Sequence, residues 1–256
     1  MSFTDQFDLS GKIALVTGAS RGIGASIARC LAAYGAHVIV ASRKVEDCEA
    51  VAAAIRQDGG KAEAASCHIG EPDQIARLFA DIEAGHGRLD ILVNNAATNP
   101  HFGPIWETDA IAFQKTVDVN IRGYFFMSQE AVKLMMAKGG GAIVNVASVN
   151  GVTPGAGQGI YSVTKAAVIS MTKAFAKECA PHGVRVNALL PGLTDTKFAA
   201  ALVKNEQILP KVLSHVPMGR AAQPGEMAGA VLYLAAPAAS YATGMCLTVD
   251  GGYLVA

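Results

Sequence analysis

Apolar residues run along this chain in short, nearly unbroken stretches, separated by longer alanine-rich segments of mixed polarity. Runs such as "IALV", "VIVA", "ILV" and "AIVNV" show little alternation of polar and apolar positions, as expected of strands covered by helices on both faces. The pattern predicts strands near 12–17, 37–42, 61–67, 89–95, 141–147, 184–190 and 245–249. Helices are predicted near 22–34, 44–58, 72–85, 108–137, 159–180 and 225–236. Repeated alternation of the two implies an α/β fold, a doubly wound parallel sheet of seven strands with helices on both faces. No repeat, linker or low-complexity tract divides the chain, so residues 1–256 are expected to form a single domain.

The alternation breaks once, between Gly192 and Gly219, where the spacing predicts two short helices broken at Pro210. Ligands of such sheets sit beyond the carboxyl ends of the strands. The insertion at about 193–216 is therefore a candidate lid, with an ordinary surface excursion as the alternative.

Composition narrows the class. Half the residues are apolar (51%) and only 16% are charged, which allows a large core and excludes disorder. Net charge is zero with no basic block, so neither nucleic acid nor an anionic membrane is an expected partner. The five cysteines show no C-x-x-C pair and no zinc spacing, which suits a reducing cytoplasm. The first residues carry acids early and lack a signal pattern. The uncharged windows Gly139–Thr164 and Met227–Val249 are cut by Gly, Asn, Pro or Ser and do not read as bilayer spans.

"TGASRGIG" lies where the first strand turns into the first helix. Its Gly18, Gly22 and Gly24 read G-x3-G-x-G, a weak signal by itself that its placement strengthens. Glycines there admit a pyrophosphate to the backbone, and a helix N-terminus offers free N–H groups and a positive dipole end. In NAD-binding versions a carboxylate ends the second strand and takes the ribose 2′-hydroxyl. Here that strand ends in Ser42, Arg43 and Lys44, and the first acids, Glu46 and Asp47, fall in the next helix. With Arg21 from the glycine loop, these residues favour a 2′-phosphate and hence NADP(H) over NAD(H).

Tyr161 and Lys165 stand four apart at the start of a predicted helix and share a face. Ser148 ends the strand before it, and the Gly/Pro-rich "VNGVTPGAGQG" joins the two. Carbonyl reduction needs a hydride and a proton. A free tyrosine titrates near 10, about 4 kcal/mol too high for work at pH 7. A lysine ammonium about 4 Å away supplies roughly that amount at an effective dielectric near 20. Lys165 is thus expected to acidify Tyr161, and Ser148 to hydrogen-bond the substrate oxygen.

Taken together, these motifs resemble the short-chain dehydrogenase/reductase family over essentially the whole chain, implying a Rossmann-like fold. "TGxxxGxG" is matched by Gly18, Gly22 and Gly24, and "NNAG" appears as "NNAA" from Asn94 to Ala97. Asn120 in "VNI", Ser148, Tyr161 with Lys165, and Pro191-Gly192 complete the pattern. The resemblance implies a catalytic set of Asn120, Ser148, Tyr161 and Lys165, with the Asn120 backbone holding a water that links Lys165 to solvent. It implies coenzyme contacts from Ser20, Arg21, Ile23, Ser42, Arg43, Asn95 and Ala96, and again from Tyr161, Lys165, Pro191 and Gly192. Leu193 by its backbone and Thr196 by its hydroxyl would meet the carboxamide.

Two positions depart from the pattern. His68 stands where the family usually has an adenine-contacting Asp, and is expected to meet adenine together with the backbone of Ile69; Ala97 replaces the last glycine of "NNAG". "ASRK", "CHIG" and "NAATNPHFG" resemble the NADPH-dependent carbonyl and retinal reductase branch. That branch often carries a peroxisomal tripeptide, which the ending "LVA" does not match. The family implies a homo-oligomer, commonly a tetramer, joined through the long fourth helix and the helix of Tyr161.

The other histidines, His37, His86, His101, His182 and His215, show no paired metal spacing, and no metal is expected. Trp106 and Phe102 are expected to be packing residues. Phe125, Phe126, Met135 and Met136 are read as core or subunit contacts. The leading function is reduction of a ketone or aldehyde, or oxidation of a secondary alcohol. One alternative is reduction of a 3-oxoacyl group on acyl carrier protein, an acidic partner for which only Lys138, His182 and Arg185 offer a basic patch. The other is a catalytically idle dinucleotide sensor or scaffold.

Overall fold

The computed structural model describes residues 4–203, 205–207 and 209–256. Seven strands form one parallel sheet in the order β3-β2-β1-β4-β5-β6-β7. They are β1 Ile13–Thr17, β2 His37–Ser42, β3 Lys61–Ser66, β4 Ile91–Asn94, β5 Gly141–Val146, β6 Val184–Pro191 and β7 Cys246–Val249. The order reverses between β1 and β4, where a doubly wound sheet opens its ligand crevice.

Alternate side chains of each strand enter different cores. On one face, Ala14, Val16, Val38, Val40 and Val93 pack under α1 (Gly22–Ala33), α2 (Val45–Gln57) and α9 (Ala228–Ala235). On the other, Leu15, Ile39, Leu92, Ile143 and Val186 pack under α3 (Pro72–His86), α5 (Tyr124–Met136) and α6 (Gly159–Cys179). Burial from both sides explains why the strands read as continuous apolar runs.

The predicted helix over 108–137 is not uniform. Asp109 caps α4 (Ala110–Val117) by accepting the Ala112 N–H at 2.7 Å. One π-helical turn, Asp118–Gly123, then joins α4 to α5. Such turns widen a helix locally and recur at functional sites. Gly123 has a local reason to be glycine: a Cβ there would lie 2.6 Å from the Ile69 carbonyl. In the insertion, α7 (Ala200–Val203) and α8 (Leu209–Leu213) form as two short helices. Pro210 sits in the first turn of α8 rather than breaking a helix, as its fixed φ and missing N–H favour. Among the described residues no helix is long and apolar enough to cross a membrane.

Candidate active site

The loops after β1, β4, β5 and β6 meet at one edge of the sheet. After β1, Gly18 and Gly22 hold positive φ (63° and 56°), open to glycine at little cost. A Cβ on Gly18 would lie 2.7 Å from the Ala96 Cα, and one on Gly24 would lie 2.5 Å from Asn95 Nδ2. Asn95 locks the two loops together, donating from Nδ2 to the Thr17 carbonyl at 2.9 Å and the Gly18 carbonyl at 3.1 Å. Thr17 Oγ1 in turn accepts the Asn95 and Ala96 N–H groups. At the start of α1, Arg21 supplies no side-chain cap and the first turn, which includes Ile23, holds no acid. Those N–H groups therefore face the loop ready for an anion. Thr196 stands against Gly22, bringing the segment after Pro191-Gly192 to the same place.

Ser148 follows β5 and accepts the Asn150 N–H at 3.1 Å. Tyr161 and Lys165 lie in the first two turns of α6, and both are buried. Lys165 is only 1% exposed; its Nζ donates to the Val146 carbonyl at 2.6 Å and reaches the Tyr124 hydroxyl at 3.5 Å. The same nitrogen is 5.6 Å from the Tyr161 ring centre. Asn120, in the π turn, is saturated. Its Nδ2 donates to the Thr98 carbonyl (2.9 Å) and Thr164 Oγ1 (3.1 Å), and its Oδ1 accepts the Thr98 N–H. Thr164 Oγ1 donates to the Tyr161 carbonyl at 2.8 Å, so Asn120 ties the "NNAA" segment to the turn that carries the tyrosine.

The electrostatics differ from the sequence expectation. Burial pushes Tyr161 up to about 12, opposed by its hydrogen bond to Ser148. Burial also pulls Lys165 down to about 7. The lysine spends its strongest hydrogen bond on a carbonyl rather than on the Tyr161 phenol, so the pair does not by itself acidify the tyrosine. Tyr124, which no motif singled out, is fully buried and lies well above the ordinary tyrosine range, through burial and the nearby Tyr161.

Between the glycine loop and α2, a cavity of about 420 Å³ is lined by Ser20, Arg21, Arg29, Asp47 and Lys197, two of whose cations, Arg29 and Lys197, sequence reasoning missed. Ser42 is engaged locally: its hydroxyl donates to the Lys44 carbonyl at 3.2 Å and accepts the Cys48 thiol at 3.0 Å. Arg43 is exposed at the end of β2. His68 Nδ1 accepts the Gly70 N–H at 3.0 Å, while the His68 backbone N–H donates to Gln74 Oε1 at 2.8 Å. It lines a second cavity of about 510 Å³ with Glu71, Ile111 and Asp118. Ile69 is buried beneath, against Gly123.

A family profile described as Enoyl-(Acyl carrier protein) reductase matches residues 18–254. Dehydrogenase/reductase SDR family member 4 of rabbit (Oryctolagus cuniculus) is 38% identical over 244 residues, 95% of this chain and 94% of that protein. The chain belongs to the short-chain dehydrogenase/reductase family. It is a dinucleotide-dependent oxidoreductase. Gluconate 5-dehydrogenase of Gluconobacter oxydans is 36% identical over 255 residues, covering 100% of this chain and 99% of that one. A gluconate 5-dehydrogenase from Burkholderia cenocepacia, solved with NADP and tartrate, superposes with a TM-score of 0.96 at 33% identity, covering 100% of both chains.

Two expectations are corrected within this family fold. Trp106 is not a packing residue: it is 83% exposed, and Phe102 is exposed beside it. Their loop stands outside both cores and is held by the Gly103 N–H donating to the Gly157 carbonyl at 3.0 Å, against the loop leading to Tyr161. Arg185 is no part of a basic patch. Its guanidinium donates to the Leu234, Ala235 and Ala236 carbonyls at the end of α9. Lys138 and His182 precede β5 and β6, at the sheet edge opposite Ser148 and Tyr161. Of the four α5 residues read as core or subunit contacts, Met135 lies in the core and Phe125, Phe126 and Met136 are exposed.

Proposed function

We propose that this protein is an NADP(H)-dependent carbonyl reductase, or the corresponding secondary-alcohol dehydrogenase, with Tyr161 as its proton donor and acceptor. The observation that carries the reading is the grouping of buried Tyr161, Ser148 and Lys165 at the sheet edge that also holds the glycine loop and an uncapped helix N-terminus. The glycine loop, Asn95, Ala96, Leu193 and Thr196 fit a dinucleotide at that helix. Arg21, Arg29 and Lys197, which line one cavity together with Asp47, and exposed Arg43, with no carboxylate closing β2, would supply the cations for its 2′-phosphate. An NADP-bound relative supports the same coenzyme. Bound there, it supplies the hydride and, once oxidised, a positively charged ring.

Tyr161 at about 12 rests as the acid, the form that reduction requires. Ser148 orients the phenol and offers a donor to the oxygen that gains charge. Lys165 Nζ lies 5.6 Å from the Tyr161 ring centre, where a positive charge would favour the phenolate; because burial disfavours that charge, a second positive charge at the site would add to the effect. Asn120 holds Thr98 and Thr164, and thereby the helix turn under the phenol.

Phe198, from the insertion, lies with its ring 5.7 Å from that of Tyr161, which supports a lid that covers the substrate with apolar surface. Exposed Phe125, Phe126 and Met136 on α5, with Val163 on α6, support a homo-oligomer. One sheet drawing strands from nearly the whole chain supports a single domain. Absorbance at the reduced-coenzyme band across a panel of ketones and aldehydes tests the activity. Tyr161→Phe is expected to lower turnover by about 10²–10⁴-fold while NADPH still binds. A variant within tenfold of wild type would place the proton donor elsewhere, and a wild type that consumes no NADPH would favour the idle-sensor reading.

A further inference from the structure

We propose that His37, Glu63 and His86 form a binding site for a divalent transition-metal cation, at the sheet edge opposite the candidate active site. His37 begins β2, Glu63 lies in edge strand β3, and His86 ends α3. Their ligating atoms all lie within 4.8 Å of one another. Glu63 sits between the imidazoles, with Oε1 2.8 Å from His86 Nε2 and Oε2 3.5 Å from His37 Nε2. The two rings meet edge to face at 4.9 Å.

His37 Nε2 is the unexplained atom. It is buried and has no hydrogen-bond partner among the described residues, since its approach to Glu63 lacks bonding geometry. A buried polar nitrogen without a partner calls for a water or an ion. Two imidazoles and a carboxylate suit zinc or a neighbouring transition metal, whereas magnesium and calcium prefer all-oxygen sites. With ligand bonds of about 2.0–2.1 Å, tetrahedral coordination sets ligating atoms roughly 3.3 Å apart. The His86–Glu63 pair need open by only about half an ångström, and the widest pair close by about 1.5 Å, within side-chain rotation. Glu63 is partly solvent-facing, leaving access for a water as fourth ligand. The carboxyl end of α3, closed by Gly87 in the left-handed region, adds a favourable dipole for a cation.

The site lies at the amino end of β2, whereas Ser42 and Arg43 lie at its carboxyl end, about 16 Å away along the strand. The cation would clamp edge strand β3 and β2 to α3 and take no part in hydride transfer. Zinc alone, titrated calorimetrically into purified full-length protein, is expected to bind at one equivalent per chain and to raise Tm. Glu63→Gln, nearly isosteric with the native residue, and His86→Asn should each weaken binding at least tenfold and abolish the Tm shift. Cobalt should give a d–d spectrum without a thiolate charge-transfer band. Affinity no tighter than millimolar, binding unchanged in both variants, or a thiolate band pointing to cysteines would each overturn the proposal.

Discussion

Replacing Lys165 by methionine separates its structural cost from its role. Burial holds the amine at about 7 in the folded chain, against 10.5 for an unperturbed lysine. That difference corresponds to an upper bound of about 5 kcal/mol for carrying the charged form inside. The sign follows from proton binding. Between about pH 7 and 10.5 the unfolded chain holds a proton that the folded chain has lost. Wild-type stability therefore gains from this group as pH rises through that window, and the full penalty applies below it. Methionine removes the penalty but leaves the Val146 carbonyl with the Tyr124 hydroxyl at 3.2 Å as its remaining side-chain donor, a loss of roughly 1 kcal/mol.

Lys165→Met should then be more stable than wild type by up to about 4 kcal/mol near pH 6, with the advantage gone by pH 10. Between pH 7 and 9.5 the difference should shrink by about 3 kcal/mol. Urea unfolding of both proteins at matched pH measures it, and taking the difference cancels the other groups that titrate there, the buried cysteines included. Turnover should fall with the same substitution. Parallel stability–pH curves for the two proteins would refute the reasoning, because they would mean that the ammonium carries no burial penalty.

Arg21→Ala and Arg43→Ala should each raise the KM for NADPH roughly ten- to hundredfold, the value of one charge-assisted bond to phosphate, and leave that for NADH nearly unchanged. Equal effects on both coenzymes would remove the basis for the phosphate site. Gly18→Ala should lower stability by at least about 1–2 kcal/mol, because a side chain is strained at a φ of 63° and its Cβ would meet Ala96. Calorimetric unfolding and NADPH titration check it, and an unchanged Tm would show that the two loops are not packed as described.

Burial on both faces made the strands legible. Runs such as Leu15–Val16 and Val38–Val40 needed no periodicity to be recognised, and observed strand ends fall within two residues of the expected ones. The catalytic candidates were legible for a similar reason, since residues at strand ends and helix starts of a parallel sheet share one edge. What stayed hidden depends on contacts between distant residues. The π turn carrying Asn120 answers to the close approach of Gly123 to Ile69, which no local pattern records. Arg185 looked like a surface charge beside a turn, yet the carbonyls it caps lie some fifty positions along the chain. Trp106 reads as a packing residue from its bulk and apolar ring, yet its loop lies outside both cores. His37 and His86 have no metal-type spacing, and only the pairing of β2 with β3 puts Glu63 between them.

The buried polar set beneath Tyr161 explains how so small a site keeps its geometry. The Val146 carbonyl accepts from both Lys165 and Tyr124, at 2.6 and 3.2 Å, so the lysine is fixed to the end of β5. Ser148 leaves the same strand two residues later. The two groups that address the Tyr161 phenol, one hydrogen-bonded and one charged, are thus referenced to a single stretch of sheet. The tyrosine is referenced to Asn120 through Thr164, and Asn120 and Tyr124 belong to one continuous run of π turn and α5. A regular helix turns about 100° per residue, so the register of that run sets both contacts together. Side chains exposed to solvent take no part in this frame. The positions of the Tyr161 phenol, the Lys165 amine and the Ser148 hydroxyl are therefore set by buried contacts rather than by the surrounding loops.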